Sequence, residues 1–198
     1  RKKTMSYHIY TTDGIILRRT PFGEANILLH ILTEDLGLII ASARSARLSS
    51  SKLRSALQEY AQVSVSCVKG KNGWKITNVV EKGSFFFEYE EYLHKTVSQV
   101  ASLLLKMIQG EAPHHEIFQI VKTGFDFLKS LSEKDILNFE TLIVLRVLHQ
   151  LGYVVIDSNT EIFLKDTVEW NNELLEKIRE NKINIIETIN RALKESHL

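Results

Sequence analysis

The chain has 198 residues, 44 % of them apolar, and a formal net charge of +1, which suits one packed domain or two small ones in a soluble protein. No run approaches about 18 apolar residues without a charge, and the start does not read as a secretory leader, so the expected location is the cytoplasm. The near-neutral total conceals an asymmetry: up to Phe87 there are 13 Lys/Arg against 6 Asp/Glu, and from Glu88 onward 12 against 18, so the first part is suited to a polyanion and the second is not.

From Tyr7 to Arg19 the β-branched and aromatic content predicts a strand, with a bulge or bend at Asp13-Gly14. Pro21 to Gly23 reads as a turn. Asn26 to Thr33 is apolar on both faces, which fits a strand buried in a closed barrel. Glu34-Asp35-Leu36-Gly37 is a short hairpin connection, and Leu38 to Ala43 returns as the next strand.

Arg44 to Arg54 has no apolar period. Arg44, Arg47, Lys52 and Arg54 are interleaved there with serines. Such a segment either wraps phosphates with charges and hydroxyl donors or is an ordinary solvated loop. Beyond it Val63, Val65 and Cys67 alternate with serines on a half-buried strand. Lys69 to Gly73 closes a hairpin around the Asn72-Gly73 pair, and Trp74 to Val79 returns. Trp74, beside Lys71 and Lys75, is either a base-stacking side chain or part of the core. Five short strands in about 80 residues predict a small closed barrel; periodicity fits an OB-type Greek key without separating it from an SH3-like barrel.

After the Phe85-Phe86-Phe87 run, read as interface core, the period changes. Leu93, Val97, Val100, Leu104 and Ile108 mark an amphipathic helix over 88–109. A second helix carries Ile117 to Leu128. Asp135 to Leu151, apolar nearly all round, predicts the central helix of a bundle, stopped by Gly152. Tyr153 to Trp170 reads as a loop with room for a short hairpin. Asn172 to Glu180 and Ile183 to Lys194 are closing helices. The expected class is therefore α+β, with a five-stranded OB-type barrel over 1–87 and an all-α bundle over 88–198.

No constellation of catalytic groups can be assembled. There is no phosphate-loop glycine pattern, HExxH or GxSxG. The single cysteine, Cys67, excludes an internal disulfide and a multi-cysteine zinc cluster, and is expected to pack as a small apolar residue. His114-His115 point in different directions from a helix start, and Glu88, Glu90 and Glu91 suit a helix dipole. No enzyme activity, cofactor or metal is expected.

Several short motifs, in one order, resemble a known family. They are Gly14-Ile15-Ile16-Leu17, Pro21-Phe22-Gly23-Glu24, Leu28-Leu29 with Leu32-Thr33, Gly37, Ala43-Arg44-Ser45-Ala46-Arg47 and Leu57-Gln58-Glu59-Tyr60. As a set, from Gly14 to near Gly83, they resemble the RecO family of bacterial DNA repair and recombination mediators; Leu151-Gly152-Tyr153 adds a weaker match. The chain departs from the family at Asn26, where Asp is common, at Ser45, where Gly is usual, and at Leu48, where a second Arg is usual. Many members also carry four zinc-binding cysteines after the Leu-Gly-Tyr segment; here 153–170 has none, so the loop is expected to be zinc-less.

The resemblance implies a noncatalytic, nucleoid-associated protein. Such a protein binds single- and double-stranded DNA, anneals complementary strands and works with RecR to load RecA onto DNA coated by single-strand-binding protein. The DNA-binding set would be Arg18, Arg19, Arg44, Arg47, Lys52, Arg54, Lys69, Lys71, Trp74 and Lys75. Arg146 would anchor the acidic tail of single-strand-binding protein. The rival reading is a protein-interaction adaptor of the same fold whose thinned basic loop no longer grips DNA.

Overall fold

The computed structural model describes residues 8–47, 53–85 and 89–196. The chain divides into two compact units, one made of 1–88 with Gln109–His114 and the other of Tyr89–Ile108 with His115–Leu198. The short segment Gln109–His114 thus joins the first unit although helical sequence flanks it on both sides.

The first unit is a closed barrel of β1 (Ile9–Phe22), β2 (Asn26–Thr33), β3 (Gly37–Ala43), β4 (Ala61–Gly70) and β5 (Gly73–Ser84), ordered β1-β2-β3-β5-β4. β3 and β5 are parallel and every other pair is antiparallel. This is the OB-type Greek key. Closure depends on β1, whose first half pairs with β4 and whose second half pairs with β2. Gly14 pairs with both Val63 and Thr33, and a Cβ there would stand 2.7 Å from Ile31 Cγ2. The glycine thus serves close packing where β1 changes partners, and β1 runs straight through Asp13-Gly14. The bulge expected there falls instead between Ile16 and Arg18.

The alternation read over Val63, Val65 and Cys67 is that of the barrel wall, and β2, read as apolar on both faces, alternates in burial as well. Ile27, Leu29, Ile31, Ile39, Ala41 and Ala43 point inward with Val63, Val65 and Cys67. Burial pushes the Cys67 thiol up to about 11, so it stays a protonated core group. The β4–β5 turn is tighter than expected, with Gly70 facing Gly73 across Lys71-Asn72. At this same end, where the parallel β3 and β5 both begin, Gly37 has a φ of 73°, and a Cβ there would lie 2.1 Å from the Ala112 carbonyl oxygen. Only glycine fits a positive φ under a backbone that close.

The second unit contains α1 (Glu91–Met107), α2 (His115–Leu128), α3 (Ile136–Gln150), α4 (Glu161–Leu164), α5 (Asn172–Glu180) and α6 (Lys182–Glu195). α3 is the central helix and touches all five others. Its Phe139, Leu142, Ile143, Leu145, Val147 and Leu148 are fully buried, as an all-round apolar helix requires. Gly152, with φ at 83°, ends it. Among the described residues of 153–170 there is no hairpin, only the single turn of α4. Of the Phe85-Phe86-Phe87 run only Phe85, which is buried, falls among the described residues.

Candidate nucleic-acid interface

The β1–β2 tip and the segment after β3 meet at one end of the barrel. β1 continues through Pro21-Phe22, so the turn is Gly23-Glu24-Ala25, not Pro21 to Gly23. Arg47 donates its backbone N–H to the Ala25 carbonyl at 2.9 Å and its guanidinium Nη1–H to the Gly23 carbonyl at 3.2 Å. Ser45 donates its N–H to Asn26 Oδ1 at 3.0 Å. Further on, Ala46 and Leu57 are fully buried against the barrel core, and Leu57 N–H closes a turn onto the Leu53 carbonyl. The described residues on either side of 48–52 are therefore pinned at several points, and the side chains of Arg44, Arg47 and Arg54 among them are exposed. Lys52 lies outside the described residues.

Register defines the face next to this end. Arg18 pairs with His30, which pairs with Ile40; Thr20 pairs with Leu28, which pairs with Ser42, and Ser42 with Lys75. Phe22 pairs with Asn26 at the rim. Because strand side chains alternate, these residues share the outward side of β1, β2 and β3, opposite the buried Ile27, Leu29 and Ile39. Arg18, Thr20, Phe22 and Ile40 are exposed, and His30 and Lys75 half-buried. None of these paired positions is acidic. Burial, and secondarily the Arg18 charge, hold the His30 imidazole below its ordinary range. Arg19 is half-buried, and its backbone N–H donates to Glu59 Oε1 at 2.8 Å.

The other cations lie elsewhere on the barrel. Lys69 and Lys71 belong to the β4–β5 hairpin, which joins β3 only from Ala41 onward and so points away from the arginine segment. Lys69 is paired with Glu111 at 2.5 Å, with both side chains substantially exposed. The structure thus groups Arg18, Arg44, Arg47 and Lys75 around one face and end, leaves Lys69 and Lys71 at another edge, and has Arg54 exposed farther along the chain.

Two expected site residues are corrected. Trp74 is only 5 % exposed and is part of the barrel core. Its ring meets the edge of Tyr10 at 5.3 Å, and the Lys69 ammonium sits 5.3 Å from its centroid. No base can stack on an indole covered in this way. Arg146 is fully buried on α3 and cannot meet a partner's carboxylate. It donates to three backbone carbonyls, Nε to Phe163 at 2.9 Å, Nη1 to Glu169 at 2.7 Å and Nη2 to Asp166 at 3.0 Å. Its guanidinium also lies 4.4 Å from the Trp170 ring centroid. Burial pulls its pKa down to about 10, with Asp166 and Glu169 opposing, so it remains a cation at neutral pH.

Arg146 thus organises 163–170, within the segment where four-cysteine family members hold zinc. The residues present do not fit that metal. The segment contains no cysteine, and the neighbouring His149 uses Nδ1 on the Val154 carbonyl at 2.8 Å. No group of three His, Cys, Asp or Glu arranged to hold a metal occurs among the described residues. No described helix is long and apolar enough to cross a membrane.

Residue patterning did not reveal Phe22, because it was read as part of a turn. It is 58 % exposed at the end of β1, one residue from the carbonyl that Arg47 holds.

Residues 5–83 match the family described as Recombination protein O N terminal. Among curated proteins, the chain is 27 % identical over 172 residues to the DNA repair protein RecO of Heliobacterium modesticaldum, covering 82 % of this chain and 60 % of that protein. It is 44 % identical over 130 residues to that of Dehalococcoides mccartyi strain CBDB1, covering 65 % of this chain and 51 % of the relative. With Thermodesulfovibrio yellowstonii the figures are 26 % over 147 residues, 73 % and 58 %. The chain spans between half and three fifths of the length of these relatives.

Proposed function

Because the chain belongs to the RecO family of DNA repair proteins, we propose that it is a noncatalytic recombination mediator whose barrel binds DNA through phosphate contacts. The observation that carries this reading is the arginine segment, pinned on either side of 48–52, where Arg44, Arg47 and Arg54 are exposed on a backbone tied to the β1–β2 tip and to the core. Cations held in place lose less side-chain freedom on binding than those of a floppy loop. Point charges aimed at phosphates give affinity with little sequence preference.

The mechanism follows from charge. A strand whose phosphates are neutralised on this surface repels a complementary strand less, so two bound strands pair faster than two free ones. In the wider role the family resemblance suggests, the protein acts with RecR to load RecA onto DNA coated by single-strand-binding protein, in the nucleoid. Arg146 has no part in this, since its charge is spent on backbone carbonyls inside the helical unit.

Annealing of two complementary labelled oligonucleotides, followed by fluorescence quenching, tests the proposal. The protein is expected to accelerate pairing, and a variant with Arg44→Ala, Arg47→Ala and Arg54→Ala to lose most of the acceleration while melting at the same temperature. Pairing no faster than in buffer would contradict it.

A further inference from the structure

Phosphate neutralisation alone does not distinguish a single strand from a duplex; a group that receives an unstacked base does. With Trp74 inside the core, the exposed aromatic ring at the cationic end of the barrel is Phe22, 58 % accessible. A single exposed apolar side chain is ordinary on any protein, so exposure by itself decides nothing. Position does. Alternation along β1 places Phe22 on the same side as Arg18, and register places that side beside Ile40 on β3, itself 49 % exposed. Lys75 borders the face through its pairing with Ser42, and Arg47 donates its guanidinium to the carbonyl of Gly23, the residue after Phe22. A guanidinium and an exposed aromatic ring are therefore held at neighbouring positions of one barrel tip.

We infer that Phe22 is the base-stacking residue of a single-strand site on the outward face of β1, β2 and β3, with Ile40 as a second apolar contact for bases and Arg18, Arg44, Arg47 and Lys75 around it for phosphates. This rests on the DNA-binding reading above and assigns it a face, a direction of approach and a preference for unpaired bases. A duplex, whose bases are stacked on each other, offers Phe22 nothing to hold.

The test compares wild type, Phe22→Ala and Phe22→Tyr on three labelled probes of equal length: a base-bearing single strand, an abasic single strand with the same phosphates, and a duplex. Phe22→Ala is expected to weaken binding of the base-bearing strand roughly tenfold, since stacking on one aromatic residue is of that order. It should leave the abasic strand and the duplex within about twofold, with the salt dependence unchanged, and Phe22→Tyr should retain wild-type affinity. An equal loss on the abasic probe would show damage to the phosphate surface and overturn the assignment. No loss on any probe, with wild type binding all three, overturns Phe22 as the stacking residue and leaves phosphate binding intact. No binding by wild type overturns both. Phe22 is exposed, so each variant is expected to melt at the wild-type temperature.

Discussion

Ser45 donates its backbone N–H to Asn26 Oδ1 at 3.0 Å from a left-handed conformation, with φ at 54°. Both residues are points where the sequence departs from the motif pattern of the family it resembles, and the geometry suits the residues of that pattern. A position at positive φ is where glycine is preferred, and a short side chain with an acceptor oxygen, Asp or Asn, can receive the N–H that such a turn presents.

Ser45→Gly is expected to stabilise the barrel. A non-glycine residue in this region costs about 1–2 kcal/mol, and glycine returns roughly half of that to unfolded-chain entropy. The net gain of about 0.5–1 kcal/mol should raise the melting temperature by about 1–4 °C. A calorimetric scan of the two proteins measures it, and a lower melting temperature in Ser45→Gly would refute the strain.

Arg146→Met removes a buried cation of similar length and leaves the Phe163, Asp166 and Glu169 carbonyls without their donor. Because unsatisfied buried acceptors carry the full desolvation penalty, a loss of about 3 kcal/mol or more is expected. Arg146→Lys should recover only part of it, since an ammonium cannot reproduce the planar fork that reaches three carbonyls and covers Trp170. Urea unfolding read by tryptophan fluorescence reports both. Wild-type stability in Arg146→Met would mean that the segment holds itself.

His30 makes barrel stability depend on pH. Its pKa in the fold lies below the ordinary value of 6.5, so the unfolded chain takes up a proton first as pH falls. Its contribution is therefore intact above about 6.5 and declines below it. The denaturant midpoint should drop between pH 7.5 and 5.5, and less in His30→Gln. The sign reverses for DNA binding, where an added positive charge on this face should strengthen single-strand affinity at the lower pH. Equal drops in both proteins would remove His30 from the account.

What could be read in advance follows the physics of each region. Period-two alternation with inward Val63, Val65 and Cys67 defines a strand whatever surrounds it, and the apolar circumference of α3 defines a central helix. Trp74 and Arg146 are decided by burial, where residue type alone suggests an exposed role. Trp74 next to lysines looks like a stacking group until the closed barrel covers it. The three carbonyls that receive Arg146 come from 163–169, a segment without periodicity, so nothing local announces them. Ala46 and Leu57, which pin the arginine segment, were hidden for the same reason: two buried residues eleven apart make no pattern. The fold places them, not their spacing.

The most direct test of the account is anisotropy of a labelled single-stranded oligonucleotide at two salt concentrations, with wild type and the variant carrying Arg44→Ala, Arg47→Ala and Arg54→Ala. If about five phosphates are neutralised, a fourfold rise in salt should weaken wild-type binding roughly a hundredfold, and a variant lacking three of those contacts should lose only about sevenfold. Equal, weak binding by both proteins at low salt would contradict the claim that this end of the barrel grips DNA.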